Sequence, residues 1–441
     1  MPKVSVLMPT LNVAPYIEAC IEIVMNQTLH EIEIIVVDAG STDGTYEILQ
    51  KYAKKDKRIR VVHSEKRSYG HQMNLALSMS TGEYIAFVET DDFIESDMLN
   101  VLVRYADKNA LDYVKGYTNS FWNLKNGSKY IAVIDTMPVE PMTVFCPKDM
   151  PELLLTEYHF WTAVYRKSFL DGIYFNETAG AAFQDIGFIV QVLNKARRAM
   201  YINCPVYWYR CNNDNSSVFN TKGFKYLIDE YSFVLNLKLR QDELWENLIY
   251  LRCFAQTLGR FQTMAVSGRY WLNAEEQIEF IKNAITRKLN GQHVPFHLLS
   301  DEYHALLRLF MISDREVYDY YVEKYSNAVD AMKRVASWAS GNPIIIYGCG
   351  KWGKFAHAML DLKCKANVAA FTDSNENYAG KSVQGLRVIS PYEAINKFPD
   401  AYYLIASKWG RDSIRETLMS QGIDETHIHW ENLMTDTVLF Q

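Results

Sequence analysis

The stretch EYIAFVETDD, Glu83 to Asp92, decides how the chain is read. Tyr84, Ile85, Ala86, Phe87 and Val88 have the short, bulky character of a strand buried on both faces. Three carboxylates follow within four positions. Like charges so close resist burial, so such a cluster belongs at a solvated turn or around a cation. In an extended segment alternate side chains share a side, about 7 Å apart between Cα atoms, so Glu89 and Asp91 are expected to converge while Asp92 points elsewhere. Two hard oxygen ligands that leave other positions open suit Mg²⁺ or Mn²⁺. The plainer alternative is that Asp91 and Asp92 start a helix near Ser96 to Tyr105.

Working outward from that strand, VSVLMP (Val4 to Pro9) precedes a helical pattern near Pro15 to Asn26. EIIVVD (Glu33 to Asp38), a helix from about Thr45 to Tyr52, a strand over Arg60 to His63 and a helix around His71 to Met79 come next. This βαβ rhythm predicts a mostly parallel sheet covered by helices. Ligands of such sheets bind beyond the carboxyl ends of the strands, which is where Pro9, Thr10, Asp38 and Glu89 to Asp92 fall. Asp38 opens DAGSTDGT, whose glycines permit a tight turn and whose Ser41, Thr42 or Asp43 can cap the next helix.

At 441 residues the chain exceeds one ordinary core. Its 46 basic and 52 acidic residues give a net charge of -6, with no long cationic block of the kind that tracks a phosphate backbone. Nucleic acid is therefore not an expected partner. The basic run Lys51 to Arg60 reads as the solvated end of a helix. Seven cysteines without CxxC spacing, and a first apolar segment that is a strand rather than a leader, point to a reducing cytoplasm. No apolar run approaches the roughly 20 residues that span a bilayer, so attachment to the inner face of the plasma membrane would be peripheral. Between Lys222 and Ser340 the pattern turns helical, with Ile278, Ile281, Ile285 and Leu289 at spacings of three and four. The tyrosine-rich Val317 to Tyr325 suits a helix core.

Taken together, VSVLMPTLN, VVDAGSTDGT and STGEYIAFVETDD resemble the start of family 2 glycosyltransferases of the GT-A fold. HFWTAVYRKSFL (His159 to Leu170), FQDIGFIVQVLNKA (Phe183 to Ala196) and PVYWYRCNNDNSS (Pro205 to Ser217) resemble later blocks of bacterial members. The resemblance covers about the first 220 residues. It implies an α/β architecture with a GT-A domain over 1–220, a helical domain over 221–340 and a further α/β domain over 341–441. It implies an inverting transfer from a nucleotide sugar, most simply a UDP-sugar, to a hydroxyl of a glycan or lipid-linked acceptor in surface polysaccharide synthesis. Carried over by position, Asp38 would contact the nucleotide base, with Pro9 and Thr10 shaping that pocket and Arg67 near the diphosphate. Asp91 would bind Mn²⁺ or Mg²⁺ with Glu89 beside it, and Asp185 would be the catalytic base. Two positions depart from the family pattern: Glu89 stands for its usual Asp, and Gln184 for the Glu that usually precedes the base. Peripheral membrane association and a homo-oligomer are both compatible with this reading.

After Gly341, Asn342 and Pro343, the run IIIYGCGKWGKF opens a new strand, glycine turn and helix. Gly348, Gly350 and Gly353 with Asp373 match a GxGxxG pattern and its ribose-binding acid, which is a weak signal on its own. The segment resembles a Rossmann-like domain appended to bacterial sugar-modifying enzymes, where such a turn can cradle a nucleotide phosphate. A structural or oligomerising module is the alternative. His427 and His429 share one side of a strand without an evident third ligand. Two rival readings of the whole remain open at this point: an NAD(P)-dependent oxidoreductase working through the C-terminal turn, and a non-catalytic nucleotide-sugar sensor.

Overall fold

The computed structural model describes all residues except 135–138, 157–158, 214–215, 218–219, 221, 238, 240–241, 269–273, 290–297, 408–409 and 432–441. Asp214 and Asn215 of the Pro205 to Ser217 block thus lie outside the described residues. The chain packs as two units. Met1–Ser120, Val133–Met264 and Tyr270–Val317 form the first, and Phe121–Ala132, Ala265–Arg269 and Tyr318–Gln441 the second.

The first unit opens with the expected alternation: β1 (Val4–Thr10), α1 (Ala14–Met25), β2 (Ile32–Asp38), α2 (Thr45–Lys55), β3 (Ile59–His63), α3 (Tyr69–Met79) and β4 (Tyr84–Phe87). Next come β5 (Phe93–Ile94), α4 (Met98–Asn109), β6 (Tyr113–Asn123), β7 (Lys129–Ile134), β8 (Val144–Phe145), β9 (Ala163–Arg166), α5 (Gln184–Lys195) and β10 (Ala199–Arg210), with the end of β6 and most of β7, within Phe121–Ala132, counted in the second unit. The sheet runs β3-β2-β1-β4-β9-β6-β10-β5. Its first four strands are parallel, and β9 joins antiparallel to β4. Both β1 and β4 are buried along their whole length, as strands covered on two faces must be. The register sets Thr10 opposite Asp38, so β1 and β2 end level with each other.

Phe87, the last residue of β4, is the hub of the aromatic core. Its ring meets Phe160 at 5.0 Å, Phe188 at 5.2 Å and Phe175 at 5.7 Å between centroids, and Phe175 stacks on Phe188 at 4.5 Å. Burying each such ring stabilises the fold by about 1.5–3 kcal/mol. Phe188 and Asp185 are three apart on α5 and therefore lie on neighbouring parts of one face. Packing Phe188 against Phe87 brings the start of α5 to the end of β4.

Four helices complete the first unit: α6 (Gly223–Asn236), α7 (Glu243–Ser267), α8 (Glu275–Leu289) and α9 (Asp301–Ile312). Ile278, Ile281 and Ile285 are buried as their spacing predicts, and the side chain of Leu289 lies outside the described residues. The long α10 (Asp314–Ala339) leads into the second unit, where Tyr321 and Tyr325 are buried and stacked at 5.9 Å, in the core role expected of them.

In the second unit follow β11 (Ile344–Tyr347), α11 (Lys351–Met359), β12 (Val368–Thr372), β13 (Ser382–Val383), β14 (Leu386–Ile389), α12 (Pro391–Lys397), β15 (Tyr402–Ile405), α13 (Arg411–Ser420) and β16 (Ile428–Trp430). The sheet order is β13-β14-β12-β11-β15-β16. All pairs are parallel except β13 with β14. Ile345, Tyr347, Ala370, Tyr403 and Leu418 form its core. His427 ends a 3-10 turn rather than sharing the strand of His429; it stacks on Tyr402, and His429 tilts against Trp338, so the two histidines serve packing. Among the described residues no helix is long and apolar enough to cross a membrane.

Candidate active site

Every polar residue singled out in the first unit lies at the carboxyl ends of β1, β2 and β4 or on the segments facing them. Asp38 is 1% exposed, and its carboxylate is fully occupied by its own surroundings. One oxygen accepts from the hydroxyls of Ser41 (2.5 Å) and Thr10 (3.1 Å), the other from the backbone N–H groups of Gly40 (2.9 Å) and Ser41 (3.0 Å). That accounts for the acceptor sites a carboxylate offers, so Asp38 shapes the turn. Further along, Asp43 accepts from the Thr45 N–H at 3.0 Å, and its other oxygen accepts from the Ala14 N–H at 2.9 Å. The DAGSTDGT turn therefore caps α1 as well as α2, and α1 has no side-chain cap of its own. Pro9 is buried on β1, and its carbonyl accepts from the Thr90 hydroxyl at 2.8 Å. The exposed Arg67 reaches over the same turn and donates to the Gly40 carbonyl at 3.2 Å.

The acids after β4 do not lie on an extended segment. The Asp92 N–H donates to the Glu89 carbonyl at 3.2 Å, closing a turn over Glu89 to Asp92 that the Thr90 hydroxyl ties to β1. The alternation expected of an extended chain is thus replaced by a fan of three directions. Glu89 accepts from the Tyr69 hydroxyl at 2.5 Å, Asp91 from the Asn213 amide at 2.7 Å, and Asp92 from the Arg210 N–H at 2.7 Å. Nor do these acids start the next helix, because β5 intervenes and α4 begins only at Met98. Burial pushes Glu89 up to about 8, and the charges of Asp91 and Asp185 add to the push while the Tyr69 hydrogen bond opposes it. Burial and then Asp91 raise Asp92 as well.

Does this set of acids fit a divalent cation? The second carboxylate oxygen of Asp92 is buried and makes no hydrogen bond of good geometry among the described residues, with the Tyr207 hydroxyl near enough to oppose the rise of its pKa. Glu89 and Asp91 each spend one oxygen on a neutral donor. Crowded carboxylates with negative charge left over and hard oxygen donors suit Mg²⁺ or Mn²⁺. Among the described residues no group of three or more His, Cys, Asp or Glu is placed to hold a metal ion by itself. Mg²⁺ in particular takes only one or two carboxylates and fills its other positions with water and substrate phosphate. The residues present therefore fit an open site.

Asp185 is the second residue of α5, half-buried, with burial raising its pKa and the Arg252 guanidinium opposing that rise. Gln184, which departs from the family pattern, is an internal brace. Its amide donates to the Thr178 hydroxyl (3.1 Å) and the Gly180 carbonyl (3.4 Å), while its oxygen accepts from the Ala182 N–H (2.7 Å). A carboxylate could not make the two donations. The Gly180 carbonyl also accepts from the Tyr69 N–H at 2.9 Å, which links the loop before Asp185 to the residue that holds Glu89.

The model of Glycosyl transferase family 2 matches residues 5–171. That part of the chain is similar to glycosyl transferase family 2 domains. Beyond its end the chain continues to resemble curated glycosyltransferases, and it spans less than two thirds of their own length. It is 32% identical over 225 residues to EpsJ of Bacillus subtilis, covering 49% of this chain and 63% of EpsJ. It is 27% identical over 298 residues to GlyA of Streptococcus pneumoniae, covering 65% of this chain and 42% of GlyA. Among solved structures, S. aureus TarS residues 1–349 in complex with UDP-GlcNAc aligns with a TM-score of 0.53 at 23% identity, over 73% of this chain and 91% of that one. The aligned 73% of the chain thus shares the fold of TarS residues 1–349. A second model, C2185-like, N-terminal, matches residues 341–429. Nothing in these likenesses favours the oxidoreductase reading.

Three contributors to this site carry no signal near the acids in sequence. Tyr69 comes from the start of α3, and Arg210 and Asn213 from the end of β10. Arg210 is 7% exposed, lies 4.8 Å from the Tyr16 ring centroid and 4.9 Å from that of Phe93, and donates to the Asp91 carbonyl at 2.7 Å. The tyrosine-arginine strand was visible as a block, but the pairing of its arginine with Asp91 was not. Trp161 stacks on Tyr209 at 5.7 Å and tilts against Tyr207 at 4.2 Å, and the Tyr207 hydroxyl accepts from the Glu89 N–H at 3.0 Å.

In the second unit, Gly348, Gly350 and Gly353 form the turn into α11, with Gly350 as its N-cap. A Cβ at Gly353 would lie 1.8 Å from the Gly348 carbonyl oxygen, so only glycine lets the helix approach the turn this closely, whereas the space around Gly350 is open. Asp373, just past β12, turns back on the glycine turn. It accepts from the Cys349 N–H at 2.7 Å and from the Asn375 N–H at 2.9 Å.

Proposed function

We propose that the protein is an inverting glycosyltransferase that moves a sugar from a nucleotide diphosphate donor, a UDP-sugar, to a hydroxyl of a glycan or lipid-linked acceptor in bacterial surface polysaccharide synthesis. The observation that carries this reading is the packing of Phe188 of α5 against Phe87 of β4, with Tyr69 bonded both to Glu89 and to the Gly180 carbonyl of the loop before Asp185, which brings the base to the β4 acids. The complex of TarS with UDP-GlcNAc supports a UDP-sugar as the first donor to try.

On this reading Pro9, Thr10 and Asp38 shape the pocket for the nucleotide base, Asp38 by fixing the Gly40–Ser41 backbone. Arg67 offers its guanidinium to the diphosphate. Asp91, with Glu89 beside it, would hold Mn²⁺ or Mg²⁺, which supplies positive charge against the diphosphate as it leaves. Asp185 takes the proton from the acceptor hydroxyl as that oxygen attacks the anomeric carbon, and the bond to the diphosphate breaks on the opposite face. Burial raises the pKa of Asp185 and so makes it a stronger base than an exposed aspartate. Such chemistry suits a cytoplasmic protein that meets its acceptor at the inner face of the plasma membrane.

The second unit is proposed as Rossmann-like, with a nucleotide phosphate approaching the open space at Gly350. Asp373 then serves as brace of the turn, because backbone donors already engage both its oxygens. The test of the main reading is release of UDP from a panel of UDP-sugars with Mn²⁺, compared between the wild type and Asp185→Asn. Turnover lost in the variant supports it, and turnover equal in both overturns the assignment of the base.

A further inference from the structure

α6 lies beyond the stretch matched by the family model and carries a buried acid that the reaction described above does not use. Glu230 is 1% exposed. One of its carboxylate oxygens accepts from the Gly187 N–H at 2.9 Å, and the other accepts from the Asn176 side-chain amide at 2.9 Å. Gly187 sits two residues after Asp185 as the fourth residue of α5, and the Phe183 carbonyl that its N–H would ordinarily reach accepts instead from the Ile186 N–H at 3.0 Å. The N-cap of that helix is Phe183, which has φ 69° and supplies no capping side chain. Glu230 therefore supplies from another helix the acceptor for this N–H at the start of α5. The approach is tight: a Cβ on Gly187 would lie 2.3 Å from the Glu230 carboxylate, so only glycine leaves room for it.

The second bond extends the brace. Asn176 follows Phe175, whose backbone is gripped by Asn74 of α3 on both sides: the Phe175 N–H donates to the Asn74 side-chain oxygen at 2.8 Å, and the Asn74 amide donates to the Phe175 carbonyl at 2.9 Å. α3 also carries Tyr69, whose hydroxyl holds Glu89. One buried carboxylate on α6 thus ties the first turn of α5 to the segment that is keyed to α3. The charged groups facing it are Asp185 and its own neighbour Asp229, both negative, against the neutral amide of Asn176. An acid is kept here although burial pushes it up to about 8, with Asp185 and Asp229 adding to the push, at a cost that an apolar residue would avoid.

We propose that Glu230 is a positioning residue for the base. Through the Gly187 N–H and the Asn176 amide it fixes the first turn of α5, and with it the place of the Asp185 carboxylate relative to the β4 acids. The proposal rests on the assignment of Asp185 as base.

The test uses the full chain and release of UDP or GDP from a panel of UDP- and GDP-sugars with Mn²⁺. Glu230→Leu removes both acceptors at similar volume, and Glu230→Gln restores one. The expected result is a fall in kcat of roughly tenfold or more for Glu230→Leu, as a displaced reacting group can cost about 100-fold. Donor KM and UDP affinity by calorimetry stay within about twofold, and Glu230→Gln recovers part of the loss, because the brace acts on the base and not on the donor pocket. A purely structural role would lower donor affinity and soluble yield together with kcat. Should Glu230→Leu fail to fold, Asn176→Ala cuts the second bond alone and is expected to lower kcat at unchanged donor KM. An unchanged kcat in whichever of the two variants folds overturns the proposal. Asp185→Asn separates the two levels: if it is inactive while Glu230→Leu keeps wild-type kcat, the positioning role fails and the base stands. If Asp185→Asn keeps wild-type turnover, or if the wild type turns over no donor in the panel, the reading itself fails and the proposal with it.

Discussion

The two units carry the same local device, an acid at the end of a parallel strand beside a glycine turn, and they use it differently. Asp38 is buried to 1% and held by four donors, among them the Thr10 and Ser41 hydroxyls. Asp373 is half-exposed and held by two backbone N–H groups. Arg67 reaches over the first turn, and with Glu89 and Asp91 from the turn after β4 and Asp185 from the start of α5 the polar company comes from three separate segments. Around the second, Cys349 is a buried thiol whose pKa burial and Asp373 push up to about 12, so it is no nucleophile at neutral pH. A strand-end acid beside glycines is therefore a way to shape a turn, and what makes a reactive site is the company brought from elsewhere in the fold.

The largest effect that would break this contrast lies in the first unit. Asp185→Asn is expected to reduce turnover by roughly 10²–10⁴-fold, the range of a general base, while UDP affinity by calorimetry changes little. A variant that kept its activity would put the first turn on the same footing as the second.

Next in size is Gly353→Ala. The added methyl would meet a backbone carbonyl at 1.8 Å, which no side-chain rotation can relieve. The expected cost is about 3 kcal/mol or more, read as faster hydrogen exchange in β11 and β12 with β1 and β4 unaffected. Equal loss of protection in both sets of strands would show that the two units do not behave independently.

The smallest effect concerns a surface latch near the site. Glu177 is held near 2 by hydrogen bonds from Lys66, then Asn74 and His71, below its ordinary 4.5. A lowered carboxylate pKa contributes stability that is present above about 4.5 and is lost as the pH falls from there toward 2. With Lys66 58% exposed the pair is screened, and its worth stays under about 1 kcal/mol. Urea unfolding at pH 6 and pH 3 should show a slightly smaller difference for Glu177→Gln than for the wild type. A larger difference in the variant would reverse the sign of this account.

Much of the first unit was legible because its strands are buried on both faces, so that VSVLMP and EYIAFV stand out as apolar runs with polar residues at their ends. The shape of the acid cluster was not. An extended VETDD and a turn over Glu89 to Asp92 look alike in sequence, and the choice between them is made by the Thr90 hydroxyl bonding to the Pro9 carbonyl. The partners of Tyr69, Arg210 and Asn213 were illegible for the same reason, although the last two stand in a block that the sequence singles out: those partners lie in segments far off along the chain. Gln184 was seen only as a departure, and its two donations within its own loop explain why an amide stands there. In the second unit the glycine spacing predicted the turn correctly, but the inward fold of Asp373 depends on the Cys349 and Asn375 N–H groups, whose directions only the backbone sets.

The central claim is that the acids closing β4 hold a divalent cation that in turn binds the donor diphosphate. Calorimetric titration of UDP into the full chain tests it most directly, run with Mn²⁺, with EDTA, and with Mn²⁺ on Asp91→Asn. The account predicts binding in the first case and a loss of roughly tenfold or more in affinity in the other two, as befits a lost charge-assisted contact. Equal affinity in all three titrations would contradict it.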